Sequence, residues 1–247
     1  MDYGLAGKVV LVTGASGGIG GSTARVFAAE GATVAVAYRD NLAGAELLVK
    51  ELGPTAFPVR YLLEEPESAV EQVSQRCGGV DVLVTSAVRP GARRAPGSPF
   101  ETLAPAEYAS FLQDNLTATL RTTQLVLPWM RQRGWGRVVL VSSRVVDGGK
   151  PGREVYGAAK AGLHGFASSL SWDVGRDGVL VNVVCPGMVP TESVAAQVPA
   201  PVLEQEAQRT PTGRLATPEE VAGAIVWLGS AANGNITGQV LTVAGGR

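Results

Sequence analysis

The stretch Val9 to Gly20 reads VVLVTGASGGIG. Its first five residues form an unbroken apolar run rich in β-branched side chains, the pattern of a parallel strand buried on both faces. The glycines that follow let the backbone turn sharply and come close to a pyrophosphate. The helix that the turn opens, over 18–30, offers unpaired N–H groups and the positive end of its dipole. Strand, glycine turn and helix in that order make a dinucleotide the expected ligand, with Gly14, Ser16, Gly18, Ile19 and Gly20 around it.

Similar short apolar runs recur at 33–38, 80–85, 137–142, 179–184 and 239–243. Helix-like segments lie between them at 18–30, 41–52, 66–77, 105–133, 154–175 and 218–230. Such alternation predicts an α/β fold: one domain over 1–247, a Rossmann-type, doubly wound parallel sheet of about seven strands with helices on both faces. Ligands of such sheets bind at the carboxyl ends of the strands, where the strand order reverses.

The chain has 247 residues, 45% of them hydrophobic and 17% charged, enough apolar side chain for a sizeable core. A net charge of −1 leaves no basic excess for a nucleic-acid backbone. The apolar runs are far shorter than the roughly 20 residues that cross a bilayer. The start, MDYGLAGKVVLVTG, lacks the pattern of an export signal, so neither membrane nor secretion is expected. Cys77 and Cys185 stand far apart and His164 is the only histidine, which argues against a disulfide framework or a metal site and suits the cytoplasm.

At the end of the second strand, a carboxylate would bond the ribose 2′-hydroxyl of NAD. Here Tyr38 takes that place and Arg39 follows, with Asp40 beside it, so a 2′-phosphate meets a guanidinium and NADPH is expected over NADH. The fourth strand runs into Thr85-Ser-Ala-Val88 and a loop containing Arg89, Arg93 and Arg94, on the ligand side of the sheet. In the long segment 105–133, Asn115 is a polar residue that satisfies itself in the core, bends the helix or holds a water. Arg131, Arg133 and Arg137 suit the negative pole of that helix.

The stretch 142–160, SSRVVDGGKPGREVYGAAK, sets the hydroxyl of Ser143 at the end of an apolar run, followed by Tyr156 and Lys160. Four residues apart on a helix, the last two share a face, and the ammonium is placed to lower the pKa of the phenol. His164, one turn beyond, reads as a packing or surface residue. After the sixth strand, Pro186 and Gly187 present backbone to a nicotinamide, Thr191 offers a hydroxyl to a phosphate, and 188–211 reads as a lid.

Together these residues resemble the short-chain dehydrogenase/reductase family over essentially the whole chain. Thr13 to Gly20 matches its TGxxxGIG turn; Asn115, Ser143, Tyr156 and Lys160 match its catalytic tetrad; Pro186, Gly187 and Thr191 match its nicotinamide-side motif; and NITGQVLTVAGG resembles its last strand. Among its members the chain is most similar to 3-oxoacyl carrier-protein reductases and polyketide ketoreductases. The resemblance implies hydride transfer between NADPH and a carbonyl. Tyr156 would donate the proton, Ser143 orient the substrate oxygen, Lys160 lower the phenol pKa and hold the ribose, and Asn115 anchor a water. The cofactor contacts it implies include Leu63, Ser86, Ala87, Tyr156, Lys160 and Val189. It also implies a homotetramer or dimer built on the two long helices, where Leu112, Leu116, Leu120, Leu163, Phe166 and Leu170 serve core or interface. An acidic carrier would meet Arg133 and Arg176.

Two positions depart from the family pattern. Its NNAG segment is here Thr85-Ser-Ala-Val88, and Leu62 stands where it has an acidic residue near the adenine. These changes motivate a competing reading, a cofactor-binding regulatory or assembly subunit without catalysis. Within the enzyme reading, a free small or polycyclic ketone competes with a carrier-bound acyl group.

Overall fold

A computed structural model describes residues 2–89, 94 and 97–247; Arg93 lies outside them. Seven strands form one parallel sheet in the order β3-β2-β1-β4-β5-β6-β7. They are β1 (Val9–Thr13), β2 (Thr33–Tyr38), β3 (Ala56–Arg60), β4 (Val82–Thr85), β5 (Gly136–Val141), β6 (Val179–Pro186) and β7 (Val240–Val243). Between them run α1 (Gly18–Ala29), α2 (Leu42–Leu52), α3 (Glu67–Cys77), α4 (Pro105–Leu112), α5 (Ala118–Arg133), α6 (Val145–Gly148), α7 (Glu154–Val174), α8 (Glu192–Ala195), α9 (Ala200–Gln208) and α10 (Pro218–Leu228). Order reverses between β1 and β4, whose registers pair Val10 with Val82 and Thr13 with Thr85.

Alternation along each strand feeds two cores. Val9 and Leu11 point to one face, with Leu83, Val138, Leu140, Val126 of α5 and Leu163 of α7. Val10 and Val12 point to the other, with Val34, Val36, Phe27 of α1, Leu48 of α2 and Ile225 of α10. Both faces are covered, which is why the central strands read as continuous apolar runs rather than alternating ones. The third strand, AFPVR, shows no such run because Pro58 interrupts it; proline is tolerated there because β3 is an edge strand.

The segment 105–133 is not one helix. Gln113–Thr117 forms a π-helical turn between α4 and α5, with Asn115 buried inside it. Its Nδ2 donates to the Phe111 carbonyl at 3.0 Å, taking up an acceptor that the wider turn would strand. The expectation that Asn115 bends the helix therefore takes the form of an inserted residue.

The three arginines read as dipole partners divide differently. Arg131 pairs with Asp173 at 2.6 Å and with Asp177. Arg133 reaches Asp81 at 2.6 Å and the Gly78 carbonyl at 2.9 Å. Arg137 is not at the helix end at all. It is buried in β5, donates to the carbonyls of Gly136, Gly178, Ser230 and Asn233, and lies 4.5 Å from the Trp135 ring centre. Burial pushes its pKa down to about 10.

Asp81 staples the amino-terminal edge of the sheet. Its Oδ2 accepts the Val9 N–H at 2.8 Å, its backbone N–H reaches the Val9 carbonyl, and its carbonyl accepts from Arg137 N–H. Replacing it removes a charge-assisted bond and strands a buried N–H. Asp81→Ala is expected to cost about 2 to 4 kcal/mol, read as a lower denaturation midpoint with unchanged slope in a urea titration; an unchanged midpoint would show that the staple carries no weight.

Candidate active site

The turn after β1 is shaped by backbone contacts that leave no room for side chains. Gly14 has φ +69°, and a Cβ there would lie 2.9 Å from the backbone of Ala87. A Cβ on Gly20 would lie 2.3 Å from the Gly14 carbonyl oxygen, and one on Gly18 2.2 Å from the Thr191 methyl. Ala15 N–H bonds the Ala37 carbonyl at 3.2 Å, tying the turn to β2. Ser16 is exposed at its tip, and Ile19 turns back toward the core. Helix α1 starts without a side-chain cap and without an acidic residue in its first turn. An open cradle at an uncapped positive helix end is what a pyrophosphate requires, so these residues fit a dinucleotide.

The altered segment after β4 keeps its backbone in place by other means. Thr13 Oγ1 accepts the N–H groups of both Ser86 and Ala87 at 3.1 Å. Leu63, after β3, is buried in the core, while Val88 is 46% exposed. Arg89 follows, and Asn115 clamps its backbone from both sides: Oδ1 accepts the Arg89 N–H at 2.9 Å and Nδ2 donates to its carbonyl at 3.2 Å. Its guanidinium pairs with the buried Asp114 at 2.9 Å and with Glu64 at 2.8 Å. Both N–H groups of the Asn115 amide and one lone pair of its oxygen are thus engaged with protein.

Ser143 and Tyr156 come together at the carboxyl end of β5. The Ser143 hydroxyl lies beside the phenol, and its oxygen accepts the Val145 N–H at 3.3 Å. Phe111 stands against the Tyr156 ring with centroids 6.3 Å apart. Burial raises the Tyr156 pKa above that of a free phenol, with the Ser143 hydroxyl and the charge of Arg153 opposing. Lys160 stands one helical turn beyond Tyr156 on α7. The Lys160 ammonium donates to the Val141 carbonyl at 2.9 Å, and burial alone brings its pKa down to about 8.

Ser142 has a different task. Its hydroxyl donates to the Lys160 carbonyl at 3.1 Å and meets His164 Nε2 at 2.8 Å. His164 is therefore a structural partner of the strand end, on the same helical face as Tyr156 and Lys160, rather than a plain packing residue. Cys185 of β6 lies fully buried beside this group, its thiol pushed up to about 11 by burial.

On the opposite side, Pro186 ends β6, Gly187 N–H bonds the Val243 carbonyl at 3.0 Å, and Val189 is buried. The Thr191 hydroxyl caps α8 by accepting the Val194 N–H at 3.3 Å, and its methyl packs on Gly18. Two arginines meet at the far end of the crevice. Arg39 pairs with its neighbour Asp40 at 2.5 Å, and Arg60, opposite Tyr38 in the β2–β3 register, donates to the Arg39 carbonyl at 3.4 Å. Arg60 and Arg153 escape a reading of the sequence, since only strand register and loop closure bring them to the site.

Comparison with known proteins agrees with this geometry. Residues 14–247 match the family described as enoyl-(acyl carrier protein) reductase. The chain is 36% identical to the 3-oxoacyl-(acyl-carrier-protein) reductase of Vibrio cholerae, over 98% of each chain. It is 35% identical to the acetoacetyl-CoA reductase of Shinella zoogloeoides, over 97% of this chain and 98% of that one. A gluconate 5-dehydrogenase from Burkholderia cenocepacia, solved with NADP and tartrate, superposes with a TM-score of 0.87 at 28% identity, over 99% of this chain and 96% of that one. A solved short-chain dehydrogenase/reductase family protein is 32% identical over 100% of this chain and 98% of its own, with a TM-score of 0.85. The chain belongs to the short-chain dehydrogenase/reductase family and is an oxidoreductase of that family.

Proposed function

We propose that this oxidoreductase uses NADPH to reduce the ketone of a 3-oxoacyl thioester or polyketide-type substrate to a secondary alcohol, with Tyr156 as the general acid. The observation that carries this reading is the gathering of Ser143, after β5, with Tyr156 and Lys160 of α7, where Lys160 bonds the Val141 carbonyl, at a strand end two positions from the glycine cradle. The bound nicotinamide supplies the hydride. As the carbonyl oxygen gains charge, Ser143 donates a hydrogen bond to it and Tyr156 gives up its phenolic proton, so one O–H bond breaks as the alcohol O–H forms. Lys160 holds the ribose hydroxyls, Asn115 fixes the wall beside Phe111, and Pro186, Gly187, Val189 and Thr191 hold the nicotinamide half. Leu63, Ser86 and Ala87 face the adenosine half, and Tyr38 lies beside it.

Two guanidiniums at the 2′ end of the crevice, Arg39 and Arg60, support NADPH over NADH even though Asp40 draws on one of them. The 3-oxoacyl class is supported by the two reductases named above. Of the two arginines considered for an acidic carrier, Arg133 is engaged with Asp81, which leaves Arg176 as the candidate. Segment 188–211 is assigned as the lid: it carries α8 and α9, begins on Gly18 through Thr191, and ties Glu206 to Arg209 and Arg247. Homo-oligomer formation is supported by Trp172, 89% exposed on α7; Leu163 belongs to the core, against which Leu116, Leu120, Phe166 and Leu170 pack.

Tyr156→Phe keeps the ring and removes the proton. Its kcat/KM for acetoacetyl-CoA should fall by about 10²- to 10⁴-fold with NADPH affinity little changed, measured by loss of reduced-cofactor absorbance and by fluorescence titration; a variant with full turnover would remove Tyr156 from the mechanism. The double substitution Arg39→Ala with Arg60→Ala should weaken NADPH binding by roughly ten- to a hundredfold and leave NADH binding as it was. Equal loss for both cofactors would place the 2′-phosphate elsewhere.

Lys160 yields a prediction for stability. Its folded-state pKa of about 8 lies below the 10.5 of the free side chain, so between those values the unfolded chain binds more protons and stability rises with pH. The cost of burying the ammonium is full below pH 8 and gone above 10.5. Lys160→Met, without cofactor, should therefore be more stable than the parent at pH 7, by on the order of 3 kcal/mol less the lost bond to Val141. That advantage should vanish as the pH approaches 10.5 in denaturant titrations; a variant weaker than the parent throughout would refute it.

A further inference from the structure

Around Ser143 and Tyr156 the charges do not balance. Among the described residues, the connection from β5 into α7 carries Arg144, Lys150 and Arg153 against Asp147 and Glu154, and the chain after β4 adds Arg94. The guanidinium carbon of Arg153 lies 5.3 Å from the Tyr156 ring centre, so a cation stands within one side chain's length of the place where a substrate oxygen meets the phenol. A neutral ketone gains little from such a surplus. We propose that the substrate carries a carboxylate a few bonds from its ketone, and that Arg153, with Arg94 beside it, receives that carboxylate. This names the substrate class of the reduction proposed above and rests on that reading.

The backbone brings the two arginines together. Arg153 precedes α7, its N–H donates to the Lys150 carbonyl at 3.0 Å and its carbonyl accepts the Gly157 N–H at 2.7 Å. Gly152 before it, at φ +72°, packs against the backbone of Arg94, where a Cβ would be 3.4 Å from the Arg94 carbonyl oxygen. The carboxylates of this region are already engaged. Glu154 pairs with Arg94 at 2.7 Å and accepts the Gly152 N–H at 3.0 Å, which holds its pKa down to about 2. Asp147 pairs with Arg144 across one helical turn, and Glu206 of α9 pairs with Arg209 and Arg247.

Unmet donors point the same way. The Nε atoms of Arg94 and Arg144 are buried and have no hydrogen-bond partner among the described residues. Arg144 follows Ser143 directly, and Arg94 is tied to the first residue of α7, so both orphaned N–H groups belong to the walls around the phenol. A buried donor without an acceptor costs stability, and such a cost is retained where a ligand brings the acceptor. A carboxylate brings two oxygens and a charge, which suits a guanidinium fork; a thioester carbonyl brings one neutral oxygen. The phosphate of a carrier arm sits at the far end of a long chain from the thioester, out of reach of a cation held against the Tyr156 ring.

The test compares keto acids with their uncharged counterparts. Acetoacetate and levulinate, each beside its methyl ester, are reduced with NADPH by the intact protein, and initial rates are followed by loss of cofactor absorbance. For at least one of the pairs, kcat/KM for the acid should exceed that for the ester by about ten- to a hundredfold. In Arg153→Gln that ratio should fall close to one, chiefly through a higher KM for the acid. Arg153→Lys, which keeps the charge and loses the fork, should restore part of it. Esters reduced as well as acids by the intact protein, or a ratio that survives in a folded Arg153→Gln variant, overturns the proposal. Turnover of acetoacetyl-CoA and the esters without any gain for the acids would sink this inference alone. Absence of turnover with every ketone, acetoacetyl-CoA included, would sink the ketone-reduction reading and this inference with it.

Discussion

Where β1 and β4 part, the Thr13 hydroxyl oxygen accepts two N–H groups, those of Ser86 and Ala87, and Gly14 lies so close to Ala87 that no side chain fits between them. Strand order reverses at this point, so the helices leaving the two strands diverge and a crevice opens above it. The cradle of Gly14 to Gly20 is one wall and the chain after Ala87 is the other. Because the link runs through a threonine oxygen and backbone N–H groups, the side chains at 85–88 can vary without moving the wall. That is the physical reason why Thr85, Ser86 and Val88 stand where the family pattern has amides and a glycine and the crevice retains its form.

Two buried cations show how the fold holds positive charge without acidic partners. Arg137 distributes its protons over four carbonyls at the amino-terminal edge of the sheet, and Lys160 gives one to Val141 at the carboxyl edge. The first has acceptors for four of its five N–H groups and serves packing. The second has one protein acceptor for three N–H bonds, and burial already inclines it toward the neutral form. A fully buried ammonium with donors to spare costs stability, and such a cost is retained where a ligand supplies the missing acceptors. Ribose hydroxyls are acceptors of that kind.

The fold was legible in the sequence wherever burial on both faces forced an unbroken apolar run, as in 9–13, 33–38 and 179–184. It was illegible at β3, where Pro58 and the edge position remove the run, and at 113–117, where one inserted residue turns an amphipathic helix into two. The site divides along similar lines. Ser143, Tyr156 and Lys160 are visible because helical spacing relates two of them and a strand end carries the third. Arg60 and Arg153 are not, since each reaches the site from a loop or an edge and its neighbours are set by register. The reading of Arg137 as a dipole partner failed because backbone carbonyls compete for the same cation, and carbonyls leave no mark in a sequence.

Asn115 shows how far local bonding can alter the meaning of a motif residue. Its amide binds both backbone groups of Arg89 and the Phe111 carbonyl, while Arg89 reaches back to Asp114, the residue beside it. Phe111 in turn packs on Tyr156. A chain of contacts therefore runs from the loop after β4 through the π-turn to the phenol, with the amide as its central tie. Losing that amide would free three backbone groups at once and loosen the wall on which the Tyr156 ring leans. Its weight in the site is thus geometric before it is chemical.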